Sequence, residues 1–254
     1  MREKYTLYLM VFVGLLASGF SFAGGLEDII VEKYHVATPQ DIKLSDGKLS
    51  KGSITYRIYA DLAPGYTFQA CYGSPTHDLL IKTTTQFYNH PNGAQFANGI
   101  PDGTLNNGTV GLDSWLSVGA SSAESIGVVK TTPNDKGSVA GSPTEVSIFA
   151  IKPLLGIFQF KDSSKTNPTI FLCKNGAWSA LGKGTFGPTP ENRVLLAQLT
   201  TDGVLSFELN LQLGKPEGGS ERYVARDPLK NEILVPALIY PSKVNPPKVN
   251  TSKQ

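Results

Sequence analysis

The sequence predicts an all-β fold, an antiparallel β-sandwich or jelly-roll-like arrangement of about ten strands. Three observations lead there. Apolar residues recur at period two in window after window, and past the N-terminus no window repeats at helical period. Gly (26 residues) and Pro (17) punctuate those windows, as turns require. Charged residues make up only 17% of the chain, which is too little self-repulsion and too much apolar content for a disordered polymer.

The first 23 residues stand apart. Arg2 and Lys4 form a positive start, Leu7–Leu16 are almost wholly apolar, and Ser21 and Ala23 put small residues at −3 and −1 of a cleavage after Ala23. This is the pattern of a secretory signal peptide. The competing reading, an uncleaved anchor, needs about 20 apolar residues, and the run is shorter. Residues 24–240 are then expected to form the β-sandwich domain, with two sub-sandwiches divided near 130–143 as the alternative. Residues 241–254, PSKVNPPKVNTSKQ, are expected to be a disordered Pro-rich tail. The near-neutral chain lacks the basic field that nucleic-acid binding needs.

Strands are expected at 29–36, 79–88, 113–118, 145–151, 157–161 and 233–240. In 52–73, GSITYRIYADLAPGYTFQACYG, the row Ile54, Tyr56, Ile58, Ala60 and the row Tyr66, Phe68, Ala70, Tyr72 each fall on one face. Pro64-Gly65 suits a type II turn. The two strands either pair as a hairpin through Ile58 and Phe68 or belong to opposite sheets; parity permits both. TIFLCKNGAWSAL (169–181) predicts a hairpin about Asn175-Gly176. In RVLLAQLTTDGVLSFELNLQLG (193–214), a Thr201–Gly203 loop would set Leu199 against Leu205, Ala197 against Phe207 and Leu195 against Leu209. A one-residue slip would turn every side chain over, so this register is the expected one.

The phrases IIVEKYHV (29–36), GSITYRIYADLAPGYTFQACYG (52–73), LDSWLSVGA (112–120) and ENRVLLAQLTTDGVLSFELNLQLG (191–214) resemble an uncharacterised family of secreted, β-rich Gram-negative bacterial proteins. Some members of that family carry a C-terminal secretion-sorting domain, which these 254 residues do not contain. The resemblance implies export to the periplasm, cell surface or medium. It implies no catalytic residue. The family pattern has an apolar residue where this chain has Cys71.

Chemistry-bearing residues are sparse. His35, His77 and His90 form no zinc-ligand spacing. His77-Asp78 could form a base and its orienter, but no G-x-S-x-G accompanies it, and a surface turn is the plainer reading. Glu32, Asp113, Glu145 and Glu208 fall in expected strands and could supply the two carboxylates of a glycoside hydrolase. The loops at 101–109 and 133–137 hold oxygen ligands without a calcium-loop pattern. The aromatic row of 52–73 mixes with aliphatic residues and reads as core. Tyr59, whose face carries Thr55, Arg57 and Asp61, is the binding candidate there, and Trp178 beside its tight turn is the second. Cys71 and Cys173 are the only cysteines, a disulfide pair by default in an exported chain, with two buried free thiols as the alternative.

The expected function is a secreted or envelope-associated, non-catalytic sandwich with a binding or structural role. The alternative is a secreted carbohydrate-active hydrolase using two carboxylates. No cofactor or metal site is expected. The expected partner is an envelope component or a polysaccharide, with neither nucleic acid nor, once the leader is cleaved, a membrane span.

Overall fold

Residues 54–62 and 67–73 each alternate as their sequence demands, yet the two strands do not pair with each other. A computed structural model describes residues 24–46, 48–119, 122, 146–147 (backbone only), 170–180 and 184–241. The leader, the Pro-rich tail after Pro241, the strand expected at 157–161, the loop at 133–137 and Glu145 lie outside the described residues. In chain order the elements are β1 (Leu26–Val36), α1 (Pro39–Leu44), β2 (Ile54–Leu62), β3 (Thr67–Gly73), β4 (Leu79–Thr83), β5 (Trp115–Leu116), β6 (Val146–Ser147), β7 (Ile170–Cys173) and β8 (Gly176–Ala180). There follow β9 (Arg193–Thr201), β10 (Leu205–Glu208), β11 (Leu211–Gly214), β12 (Ser220–Val224), β13 (Glu232–Leu234) and β14 (Ile239–Tyr240).

The protein is an all-β sandwich. One sheet runs β1-β2-β9-β5, a second β14-β10-β4-β7 and a third β13-β12-β11-β3-β8-β6. The last two are joined by strands that change sheet. β3 leads into β4, β7 into β8 and β10 into β11, and the neighbour order β10-β4-β7 reappears as β11-β3-β8 on the other side of the bend. Corners of this kind let one layer fold over a core. The main cluster between this bent layer and the β1-β2-β9-β5 sheet includes Val31, Ile58, Phe68, Ile81, Trp178 and Phe207.

The corner is held by one side chain. Asn210 is buried, and its Nδ2 donates to the carbonyls of Tyr72 and Asp78, both at 3.1 Å. Its Oδ1 accepts from the Ala225 amide at 3.3 Å, and its main-chain oxygen accepts from the Tyr72 amide at 2.9 Å. Strands that bend lose ladder partners, and buried main-chain groups left unpaired are costly. Asn210 restores partners at the end of β3, before β4 and after β12.

Both expected hairpins are therefore corrected. Leu199 lies opposite Tyr56 of β2, and Leu205 opposite Thr83 of β4. The Asn175-Gly176 segment leads from β7, which pairs with β4, to β8, which pairs with β3. Of the two arrangements open for 52–73, opposite sheets is the one found.

Two β-bulges then override parity. Leu213 faces Phe68 and Gln212 faces Ala70, so Gln69 is the extra residue in β3. Beyond it Cys71 turns into the core while Ala70 and Tyr72 turn out. In β9, Ala197 faces Ile58 and Leu195 faces Tyr59, with Leu196 extra. Leu196 and Ala197 consequently both join the main core, and Leu195 goes to the opposite face. An inserted residue reverses the alternation beyond it.

A six-residue helix, α1, also escapes the period-two reading. Thr38 accepts from the Asp41 amide (3.2 Å) while the Asp41 carboxylate accepts from the Thr38 amide (2.7 Å), a reciprocal capping box followed by Pro39. His35 Nε2 lies 2.8 Å from the same carboxylate.

Asn210→Ala should lower the unfolding free energy by about 3 kcal/mol, since it strands buried carbonyls and one amide. Phe207→Ala should cost ~3–5 kcal/mol, because the ring is buried and stacks on Tyr240 at 5.2 Å between centroids. Denaturant midpoints of the two variants check both values, and a midpoint equal to the parent would contradict the burial.

Candidate functional site

The outward face of β2 and its neighbours carries a concentrated set of charged, amide and aromatic side chains, with the sequence candidates Glu32 and Tyr59 among them. Pairing aligns four residues into one row across the sheet: Glu32 of β1 faces Arg57 of β2, Arg57 faces Gln198 of β9, and Gln198 faces Trp115 of β5. Arg57 Nε donates to Gln198 Oε1 at 3.0 Å. Tyr34, two residues from Glu32 and unpaired in a bulge between Lys33 and His35, shares this face, and the Arg57 guanidinium lies 3.6 Å above its ring centroid and 5.9 Å from that of Trp115. A cation flanked by two π-faces is favourably placed.

The next row, Ile30, Tyr59 and Leu195, is largely apolar. Tyr59 is 2% exposed, and its hydroxyl donates to Glu32 Oε2 at 3.0 Å. Burial raises the Glu32 pKa, opposed by the Tyr59 hydrogen bond and the Arg57 charge. Burial likewise pushes the Tyr59 phenol upward.

This face is enclosed by residues 89–114. Ala97, Ile100 and Val110 pack with Tyr59 and Trp115 in a second hydrophobic cluster. Gln198 Nε2 donates to the carbonyls of Gly111 (3.0 Å) and Asp113 (2.8 Å), and Thr200 Oγ1 donates to that of Leu112 (2.6 Å). Asp113, fully buried, folds the start of the segment back on itself. Its Oδ1 accepts from the His90 amide (2.8 Å) and its Oδ2 from the Ala94 amide (2.9 Å). A Cβ at Gly93 would strike this carboxylate, so the turn requires glycine there. Burial pushes the Asp113 pKa up to about 8, against the opposing pull of the amides.

The remaining candidates lie elsewhere. Trp178, the second binding candidate from sequence, is 2% exposed. Its Nε1 donates to the Ser117 carbonyl at 2.9 Å, and its ring meets Phe171 edge-on at 6.2 Å. Neither it nor Tyr59 offers an open ring face: β8 directs Trp178 into the main core, and residues 89–114 cover Tyr59 on the outward face of β2. His77 is oriented by Glu232 (Nε2 to Oε2, 2.7 Å) and not by its neighbour Asp78, which is exposed. Glu232 Oε2 also accepts from the Leu229 amide at 2.8 Å, so this buried pair ties the β3–β4 turn to β13. The Tyr72 pKa is pushed to about 12 by burial and by the Glu232 charge. Glu208 meets Arg226 Nε at 2.7 Å at the surface, away from Glu32 and Asp113. Asp102, in the loop considered for calcium, accepts from Ser122 Oγ. Among the described residues no three His, Cys, Asp or Glu side chains converge as metal ligands, and no helix is long and apolar enough to cross a membrane. Cys71 and Cys173 are both buried and unbridged.

No protein-family model, curated protein or solved structure matches the chain. The family resemblance of its secreted-type phrases stands on those phrases alone.

The raised Asp113 pKa makes its contribution to stability fall as pH rises. Below about pH 4 the carboxyl is protonated in both folded and unfolded chains, and its contribution to stability is fully present. Between the ordinary aspartate value of 3.8 and about 8 the unfolded chain ionises while the folded one keeps its proton, so that contribution declines as pH rises. Asp113→Asn removes the titration and loses one amide acceptor. The stability advantage of the parent over this variant should therefore shrink from pH 4 to pH 8. Urea midpoints of both proteins at pH 4, 6 and 8 measure it; a constant gap would refute the shifted titration.

Proposed function

We propose that this is a secreted or envelope-associated β-sandwich with a non-catalytic binding or structural role, its partner an envelope component or a polysaccharide met at the surface. The observation that carries this reading is the enclosure of the Glu32–Arg57–Gln198–Trp115 row. Its cation is stacked, its amide satisfied at both ends, and Glu32 and Asp113 are 7% and 0% exposed. A hydrolase of two carboxylates needs both at a sugar-accessible cleft, one on each side of the scissile bond. These two acids are instead committed to a tyrosine hydroxyl and to main-chain amides. Export is supported by the composition of residues 1–23, with its basic start, apolar run and small residues before Gly24.

The test is a panel of envelope and storage polysaccharides, scored in parallel for retention of the protein and for release of reducing ends. The expected result is no release above the buffer blank with any polymer, whether or not one retains the protein. Saturable release that disappears in Glu32→Gln or Asp113→Asn would overturn the non-catalytic reading in favour of the hydrolase.

A further inference from the structure

Cys71 and Cys173 are about 100 residues apart in sequence and lie on β3 and β7, strands of the two sheets that the bend joins. Residues two apart in an extended strand project to the same face, about 6.6 Å from each other. Gly73, at the end of β3, therefore shares a face with Cys71, which projects into the main core. A Cβ on Gly73 would collide with the carbonyl oxygen and carbon of Cys173. The main chain of Cys173 thus fills the side-chain space of position 73, one strand repeat from Cys71 and on the same side. The side chains of Cys71 and Cys173 belong to one buried cluster. Ionised Cys173 would raise the Cys71 pKa, which puts the two sulfurs within electrostatic reach of each other.

We propose that the structure is the dithiol form of a redox couple, in which oxidation joins Cys71 to Cys173 and ties β3 to β7 across the bend. Disulfides form at Cα separations of about 4.4–6.8 Å, a range compatible with this placement. With no third cysteine in the chain, the intramolecular connectivity is unique. The oxidant is a small disulfide such as oxidised glutathione. The Cys173 thiolate, the less enclosed of the two, attacks one sulfur of the oxidant, whose S–S bond breaks and releases one thiol. The Cys71 thiolate then attacks Cys173 Sγ in the mixed disulfide, forming the protein bond and expelling the second thiol. Two electrons and the two thiol protons end on the released pair. Burial raises both cysteine pKa values, which keeps the thiolates scarce in the folded protein, so the bridge closes fastest during refolding.

The experiment refolds the reduced chain in a glutathione buffer rich in the oxidised form, then alkylates it in denaturant without reductant and weighs it intact. The expected product is a monomer with no adduct, lighter by two hydrogens than the reduced chain, whose urea midpoint falls when reductant is added. Cys71→Ala and Cys173→Ala, treated alike, should each carry one alkyl or one glutathionyl group. Two adducts on the parent, or a disulfide-linked dimer, would overturn the proposal. The parent measurement stands even if a variant fails to fold.

Discussion

Asn210 joins with its side-chain amide what three strands leave apart where the bent layer turns: the ends of β3 and β12 and the residue before β4. A sheet that bends through strand after strand must interrupt its ladders at every crossing, in a place too enclosed for water to repair them. An aliphatic residue there would pack but would leave carbonyls bare, and a charged one would bring its own desolvation cost. An amide has a donor and an acceptor end and no net charge, which suits a corner lacking both kinds of partner. The two faces of the sandwich can approach one core because this corner closes.

The outer face of the β1-β2-β9-β5 sheet solves a different problem. Arg57 is buried among Tyr34, Trp115 and Gln198, and Glu32 lies in the same row. Enclosed charges of this kind contribute little net stability compared with an apolar filling, but removing one member exposes the cost of the others. Such a row therefore acts on specificity. It fixes how residues 89–114 seat on the sheet, because Gly111 and Asp113 must bring their carbonyls to Gln198. Asp113 does the same from the covering side by collecting the His90 and Ala94 amides.

Much of the architecture was legible in the residues, and the failures have physical causes. Alternation located β2, β3, β9 and β10, and the mixture of rings with aliphatics around Tyr56 and Phe68 marked core correctly. Parity failed beyond Gln69 and Leu196, since one inserted residue reverses every later side chain without any mark in composition. The hairpins failed because turn chemistry specifies a reversal and says nothing about which sheet the second strand joins. Tyr59 and Trp178 looked accessible because their covers, residues 89–114 and the Ser117 region, are remote in sequence. Helix α1 had a readable signal that periodicity alone passes over: Thr38-Pro39-Gln40-Asp41 is a capping box with Pro at the first helical position.

The position of β9 inside its sheet has a consequence for how the chain acquires its structure. β9 lies between β2 and β5, so β2 pairs on one side with β1, a near neighbour in sequence, and on the other with a segment some 130 residues downstream. A chain emerging from its N-terminus can form the β1–β2 ribbon early, but that ribbon keeps an open hydrogen-bonding edge until residues 193–201 are present. Contacts this distant in sequence slow folding, because the closure entropy of the intervening chain is lost before any pairing compensates it. Assembly is therefore deferred until nearly the whole domain has emerged. A chain that must pass through a narrow conduit before it folds gains from that delay, and one made in the open is left with an adhesive strand edge for as long as the delay lasts.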